Sequence, residues 1–255
     1  MKNVSKINQQ TFNAGKTVKI YSSENILQKP EDVILNILKE KLSGKRMLDI
    51  GVGAGRTTRH FAPCVKEYVG IDYSSNMIQA CRQKFSDRKI VFQVCDVRRM
   101  DIFSDHSFDF VLFSYNGIDY MDREDRFKAF NEIKRVLHPD GFFCFSSHNI
   151  QNIGRFLKLS LDPVRCVPVL RRFLRVRFLI QKFNGLERIP YALIRDGGED
   201  FRVLTYYIKP IEQIKQLREM GFKHIRIFSE INGDGLEEAG LKDDKKNRWL
   251  YYFCF

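Results

Sequence analysis

Met47-Leu48-Asp49-Ile50-Gly51-Val52-Gly53-Ala54-Gly55-Arg56 is the stretch that decides how this chain folds. Residues 46–51 form a short apolar run that reads as a buried strand, and 55–61 as the short helix after it. Between them lies a turn with three glycines in five residues. Glycine reaches backbone angles closed to other residues and lets a ligand approach the main chain with no Cβ in the way. In an open α/β sheet such a turn lies at the carboxyl ends of the strands, where ligands bind. Two phosphate-binding patterns are excluded by spacing. A dinucleotide fingerprint, GxGxxG, requires glycine where Arg56 stands, and a P-loop, GxxxxGK[ST], is absent. Asp49, in the strand just before the first glycine, would repel a pyrophosphate and suits a cationic ligand.

Outward from this turn the pattern repeats. Tyr68-Val69-Gly70-Ile71-Asp72 closes a strand over 67–71, and a helix over 74–85 follows. Gln93-Val94-Cys95-Asp96-Val97 closes a strand over 90–95. Phe108-Asp109-Phe110-Val111-Leu112-Phe113 is almost unbroken in hydrophobicity and leads into Ser114-Tyr115-Asn116. A helix over 123–137 sets Phe127, Phe130, Ile133 and Leu137 on one face, and Pro139-Asp140-Gly141 turns into a fifth strand over 142–146. Upstream, Pro30 opens a helix over 31–42, and 1–29 reads as a polar arm. Downstream come a helix over 211–220, strands over 222–231 and 249–255, and a polar loop between those strands. Apolar strands alternating with helices imply a parallel sheet covered on both faces. Asp72 at the second strand tip suits a carboxylate gripping ribose hydroxyls, and Asp96 at the third can accept from an adenine amino group.

These motifs resemble the class I, Rossmann-like S-adenosylmethionine-dependent methyltransferases, strongly over 21–148 and by architecture over 209–255. The resemblance implies a seven-stranded, mostly parallel sheet with an antiparallel last strand, helices on both faces, and an inserted helix/hairpin lid after strand five. It implies S-adenosylmethionine as cofactor. Asp49, Gly51, Gly53 and Gly55 would wrap its methionine part, and Asp72, with Tyr73 and Met77 beside it, would hold the ribose. Cys95, Asp96 and Val97 would hold adenine, and Phe113, Ser114 and Tyr115 would flank the methyl-transfer centre. Asp140 stands where the family commonly has glycine, in a turn that Asp also tolerates. Residues 1–149 and 205–255 are then the methyltransferase domain, and 150–204 an insertion.

On the acceptor side, Asn116, Asp119, Tyr120, Asn149, Tyr206 and Tyr207 are the candidate substrate contacts, and His148 and Tyr115 the catalytic candidates. His148 ends a strand, and imidazole is the side chain best suited to act as a base at physiological pH, which ranks oxygen slightly ahead of nitrogen as acceptor. A small molecule or glycan is the leading acceptor class. RNA, or a non-catalytic adaptor that keeps the cofactor site, are the alternatives.

The chain has 255 residues, 44% hydrophobic, enough for one full core. Forty-three Lys and Arg against 31 Asp and Glu give a net charge of +12. Residues 155–182 carry eight basic side chains against Asp162 alone, an excess of seven, interleaved with Leu170, Phe173, Leu174, Phe178 and Ile180. Such a segment suits an anionic membrane surface, a lid with solvated arginines, or an anionic substrate. Nucleic acid is disfavoured for want of any recognised binding motif. The six cysteines form no CxxC pair and no zinc spacing, so no metal is expected, and a reducing cytoplasm fits, with peripheral membrane contact left open.

Overall fold

Strand β1 (Arg46–Ile50) buries four of its five residues because it lies mid-sheet, paired in parallel with β2 (Glu67–Asp72) and β4 (Phe108–Phe113). The computed structural model describes residues 4–86, 90–157 and 185–255. With β3 (Val91–Val94), β5 (Leu137–Asn149), β8 (Ile225–Ser229), β9 (Gly235–Leu236) and β10 (Trp249–Cys254), the order is β3-β2-β1-β4-β5-β10-β8-β9. β10 runs antiparallel to both β5 and β8. The seven expected strands are all present, and three short ones enlarge the sheet to ten: β9, β6 (Tyr191–Ile194) and β7 (Thr205–Ile208).

Alternate residues of each strand point to opposite faces. Leu48, Ile50, Val111 and Phe113 pack on one side with Phe130 and Ile133 of α6 (Arg123–Val136) and Ile214 and Leu217 of α7 (Pro210–Glu219). Met47, Phe110 and Leu112 pack on the other with Ile34 and Leu38 of α3 (Lys29–Leu38) and Ile78 and Cys81 of α5 (Ser75–Lys84). Phe110, Phe143 and Phe145 are wholly buried, each contributing roughly 1.5–3 kcal/mol of hydrophobic stabilisation. α6 begins at Asp122, whose side chain accepts from the Asp125 N–H, and carries Lys134 and Arg135 in its last turn, matching the helix dipole. The helix expected over 55–61 shrinks to α4 (Thr58–Phe61), since Gly51, Gly53 and Gly55 all take positive φ.

Two expectations change. The amino-terminal arm is a pair of helices, α1 (Val4–Phe12) and α2 (Gly15–Ser23). Their buried faces include Ser5, Asn8, Thr11 and Thr17, polar residues that hydrophobic periodicity does not register. The tail loop over 232–248 holds β9 and a 3-10 turn, Glu238–Asp243.

The expected hairpin exists as β6 and β7, in register from Tyr191 opposite Ile208 to Ile194 opposite Thr205. It is stitched into the sheet rather than laid over it, because β7 pairs in parallel with the end of β5, His148 beside Tyr207. Most of the basic stretch 155–182, including the membrane-facing reading, lies outside the described residues. No described helix is long and apolar enough to cross a membrane.

Candidate functional site

The chain order reverses between β1 and β4, and a cavity opens at the carboxyl ends of those strands. Its floor is the glycine turn. Gly51 and Gly53 have φ of 63° and 54°, a region that disfavours side chains. A Cβ on Gly51 would stand 2.9 Å from the Phe113 ring, whereas one on Gly53 meets nothing nearer than Tyr21 at 3.8 Å. Gly53 is therefore where a ligand can come close to bare backbone. Gly55 does not line the cavity; its Cβ would sit 2.4 Å from Phe85, so its smallness serves packing.

Asp72 stands beside this turn. Its carboxylate accepts the Gly53 N–H at 3.0 Å and the Ser74 N–H at 2.8 Å. Burial pushes its pKa up to about 6, against the pull of those two donors. Asp49 lies behind the turn, out of the cavity wall. It accepts from Thr57 Oγ1 and Tyr68 OH, and burial likewise raises it to about 6. Its expected contact with a ligand becomes a buttress beneath the turn.

Tyr73, Met77, Cys95, Asp96 and Val97 line the end of the cavity beyond Asp72. Among the described residues the buried Tyr73 hydroxyl has no hydrogen-bond partner. Asp96 is gripped by the Arg98 backbone N–H and Nε, both at 2.9 Å, and Arg98 reaches on to Asp125. Burial works against ionisation of Asp96, yet the Arg98 hydrogen bonds hold its pKa below the usual range.

The opposite end is formed by Phe113, Ser114, Tyr115, Tyr120 and Arg56, with Tyr21 of α2 and Glu24 over it; α1 roofs the cavity lengthwise, Phe12 lying between Tyr120 and Tyr73, and Ser5 donating to Asp125 beside Arg98. Sequence reasoning missed the roof, because aromatic residues scattered through a polar arm carry no periodic signal. It read Arg56 only as a break in a dinucleotide pattern. In the fold Arg56 grips Glu31 with two nitrogens, Nη2 to Oε1 at 2.6 Å, and lies 4.9 Å over the Tyr115 ring. The roof is held by side-chain bonds. Asn8 Nδ2 donates to Tyr120 O at 2.8 Å and Leu204 O at 2.9 Å, and Gln9 to Tyr73 O at 3.0 Å.

The other expected substrate contacts gather outside the cavity wall. Asn116, left-handed at φ 58°, donates its N–H to Ser146 Oγ, and its Nδ2 lies 3.3 Å from His148 Nε2. His148 Nδ1 faces Asp119 Oδ2 at 2.8 Å. Asp119, wholly buried, also accepts from His148 N, Ser147 Oγ and Arg126. Arg126 lies 4.4 Å over Tyr206 and donates to Gln213 Oε1 at 2.6 Å. Tyr207 OH donates to Asp196, and Asn149 Nδ2 to the Asp244 and Asn247 carbonyls of the tail loop. Of the acceptor-side candidates, Tyr115 and Tyr120 reach the cavity; His148, Asn116, Asp119, Asn149, Tyr206 and Tyr207 do not. Among the described residues no cluster of His, Cys, Asp and Glu suits a metal.

Residues 47–141 match a methyltransferase domain family. An uncharacterized methyltransferase of Bacillus subtilis, YcgJ, is 33% identical over 138 residues, 52% of this chain and 53% of that protein. The chain thus spans about half the length of that curated relative. A crystal structure of an S-adenosylmethionine-dependent methyltransferase from Mesorhizobium loti is similar with a TM-score of 0.61 at 16% identity, over 88% of this chain and 97% of that one. The Burkholderia thailandensis 1,6-didemethyltoxoflavin-N1-methyltransferase, solved with its substrate and S-adenosylhomocysteine, gives 0.58 at 15%, over 98% and 87%.

Proposed function

We propose that this chain, which carries a methyltransferase domain over residues 47–141, is a class I S-adenosylmethionine-dependent methyltransferase that methylates a small molecule enclosed beneath α1 and α2. The observation that carries this is the juxtaposition of Gly53, open to close approach, with Asp72, a buried carboxylate that has acceptor capacity left. The residues fit the cofactor. Asp72 would take the ribose hydroxyls, Met77 and Val97 would flank the base, and the unpartnered Tyr73 hydroxyl offers a further polar contact. Asp96 is committed to Arg98, so its adenine role falls to the backbone of Cys95, Asp96 and Val97.

When bound, S-adenosylmethionine supplies an activated methyl group with a neutral thioether as leaving group. The chain supplies position. Holding a nucleophile in line contributes up to roughly 7–11 kcal/mol of barrier lowering. The roof helices exclude water from the reacting end. We read the inserted stretch 150–204 as the clamp on that roof: Leu204 bonds Asn8 in both directions, Glu199 accepts from Thr17, and Asp200 pairs with Lys16.

The preference for oxygen rested on His148 as a base. That ring is held by Asp119 and Asn116 and does not reach the cavity wall, so the geometry lends a base no support. Calorimetry with S-adenosylhomocysteine tests the proposal. The wild type binds with one site per chain, and Asp72→Ala binds far more weakly. A wild type that takes up no heat with this ligand ends the reading.

A further inference from the structure

The cavity is acidic although the chain is basic. Three carboxylates stand on its wall, Glu24, Asp72 and Asp96, with two guanidiniums, Arg56 and Arg98. Both cations are already neutralised. Arg56 is paired with the wholly buried Glu31, and Arg98 lies between Asp96 and Asp125. The charges left over are Asp72 and Glu24, both negative. Asp72 belongs to the cofactor half of the cavity. Glu24 follows the end of α2, near Tyr21, Tyr115 and Arg56, and Tyr21 in turn stands over Gly53, where the two ligands would meet. Its carboxylate makes no hydrogen bond or ion pair among the described residues.

Aromatic rings from separate segments line the same cavity. Phe12 is 4.8 Å from Tyr120 and 6.0 Å from Tyr21, and Tyr21 is 6.3 Å from Tyr115. All three pairs meet edge to face, and Arg56 lies over one face of Tyr115. Ring faces together with a lone carboxylate are the chemistry that receives an organic cation. An anionic acceptor would meet Glu24 and Asp72, which Arg56, already shared with Glu31, offsets only in part.

We propose that the methyl acceptor is an amine, admitted as its ammonium form by Glu24 and the rings of Phe12, Tyr21, Tyr115 and Tyr120. This rests on the cavity being the methyl-transfer site. An ammonium has no lone pair to attack with, so it first passes one proton to the Glu24 carboxylate, leaving neutral amine and neutral carboxyl. Burial already raises the Glu24 pKa, against the pull of Arg56, and so favours that transfer. No other base is required, which agrees with His148 lying outside the wall.

The test uses choline and 3,3-dimethylbutan-1-ol, a pair of nearly the same shape in which carbon replaces the charged nitrogen. Each is titrated into the protein saturated with S-adenosylhomocysteine. Choline should bind about tenfold or more tightly than its neutral counterpart. Glu24→Gln should remove most of that preference, and Tyr115→Leu should weaken choline more than the alcohol. S-adenosylhomocysteine affinity should stay within about twofold in Glu24→Gln, since the contacts assigned to that ligand are Asp72 and the Gly53 backbone rather than Glu24. Equal binding of the two probes by the wild type overturns the proposal. So does a Glu24→Gln variant that loses S-adenosylhomocysteine as steeply as choline, because Glu24 would then be holding the cofactor's own ammonium. Failure of S-adenosylhomocysteine to bind the wild type removes the parent reading instead, and is read separately, before either probe is added.

Discussion

Asp72, the last residue of β2, and Asp119, in the turn that follows β4, are both buried carboxylates, yet they are used in opposite ways. An ionised carboxylate has about four acceptor positions. Asp119 has donors on all of them: Arg126 and Ser147 on Oδ1, and the backbone and ring of His148 on Oδ2. Asp72 has two, the N–H groups of Gly53 and Ser74. One group is saturated by its own protein and can only hold the fold together. The other is fixed in place with half its capacity unspent, facing a cavity. Counting donors thus separates a binding carboxylate from a structural one where sequence position does not.

The comparison breaks most visibly by truncation. Asp119→Ala leaves Arg126 buried without its counter-charge and should cost about 3–5 kcal/mol of stability, read from urea unfolding. Asp119→Asn, which keeps part of the network, should fold and retain S-adenosylhomocysteine affinity to within about threefold. A folded Asp119→Asn protein unable to bind would mean that both carboxylates serve the ligand. Next in size, Asp72→Ala should weaken S-adenosylhomocysteine about 10- to 100-fold, the worth of one or two hydrogen bonds to a charged group.

Protonation sharpens the contrast. Burial raises Asp72 from its ordinary 3.8 to about 6. A carboxyl whose pKa rises on folding binds its proton more tightly folded than unfolded. Its ionisation therefore costs stability as pH climbs through that window, and the cost is complete above about 6. Ligand binding runs the other way, because ribose hydroxyls need the ionised acceptor. Affinity for S-adenosylhomocysteine should fall about tenfold between pH 7.5 and pH 5. Asp72→Asn should bind weakly at both pH values and flatten most of that slope. An unchanged slope in Asp72→Asn would assign the titration to Asp49, raised to about 6 by burial as well.

Much of this was legible in the sequence and some was not, for a physical reason. Strand tips such as Asp72 and Asp96 announce themselves because an apolar run must end where a polar residue begins. The same logic placed β4 at residues 108–113, where the structure has it. What periodicity cannot reveal is a polar side chain buried by specific hydrogen bonding. Asn8 is completely buried and bonded to Tyr120 and Leu204, 112 and 196 residues away, so α1 reads in the sequence only as part of a polar arm. His148 shows the converse. It ends a strand, as a base should, but Asn116 and Tyr207 close around it. Strand position alone says where a residue is, not whether its lone pairs are spoken for.

The two glycines of the turn repeat the contrast at the smallest scale. Gly53 and Gly55 both take positive φ, 54° and 81°, so alanine strains either backbone by about 1 kcal/mol. The neighbours differ. At Gly55 the added carbon collides with Phe85 at 2.4 Å and with Cys81 Sγ at 3.3 Å, inside a packed core. Gly55→Ala should therefore lose stability beyond the strain, about 2–3 kcal/mol in total, with ligand affinity in the folded fraction nearly unchanged. At Gly53 the carbon points past Tyr21 into the cavity, so Gly53→Ala should lose only the strain, about 1 kcal/mol, in unfolding. Its cost should appear instead as several-fold weaker S-adenosylhomocysteine binding, because the ligand's closest approach to the main chain is blocked. If Gly55→Ala rather than Gly53→Ala proved the binding mutant, the ligand would lie on the far side of the turn, toward α5, and Asp72 would lose its claim to be the open carboxylate.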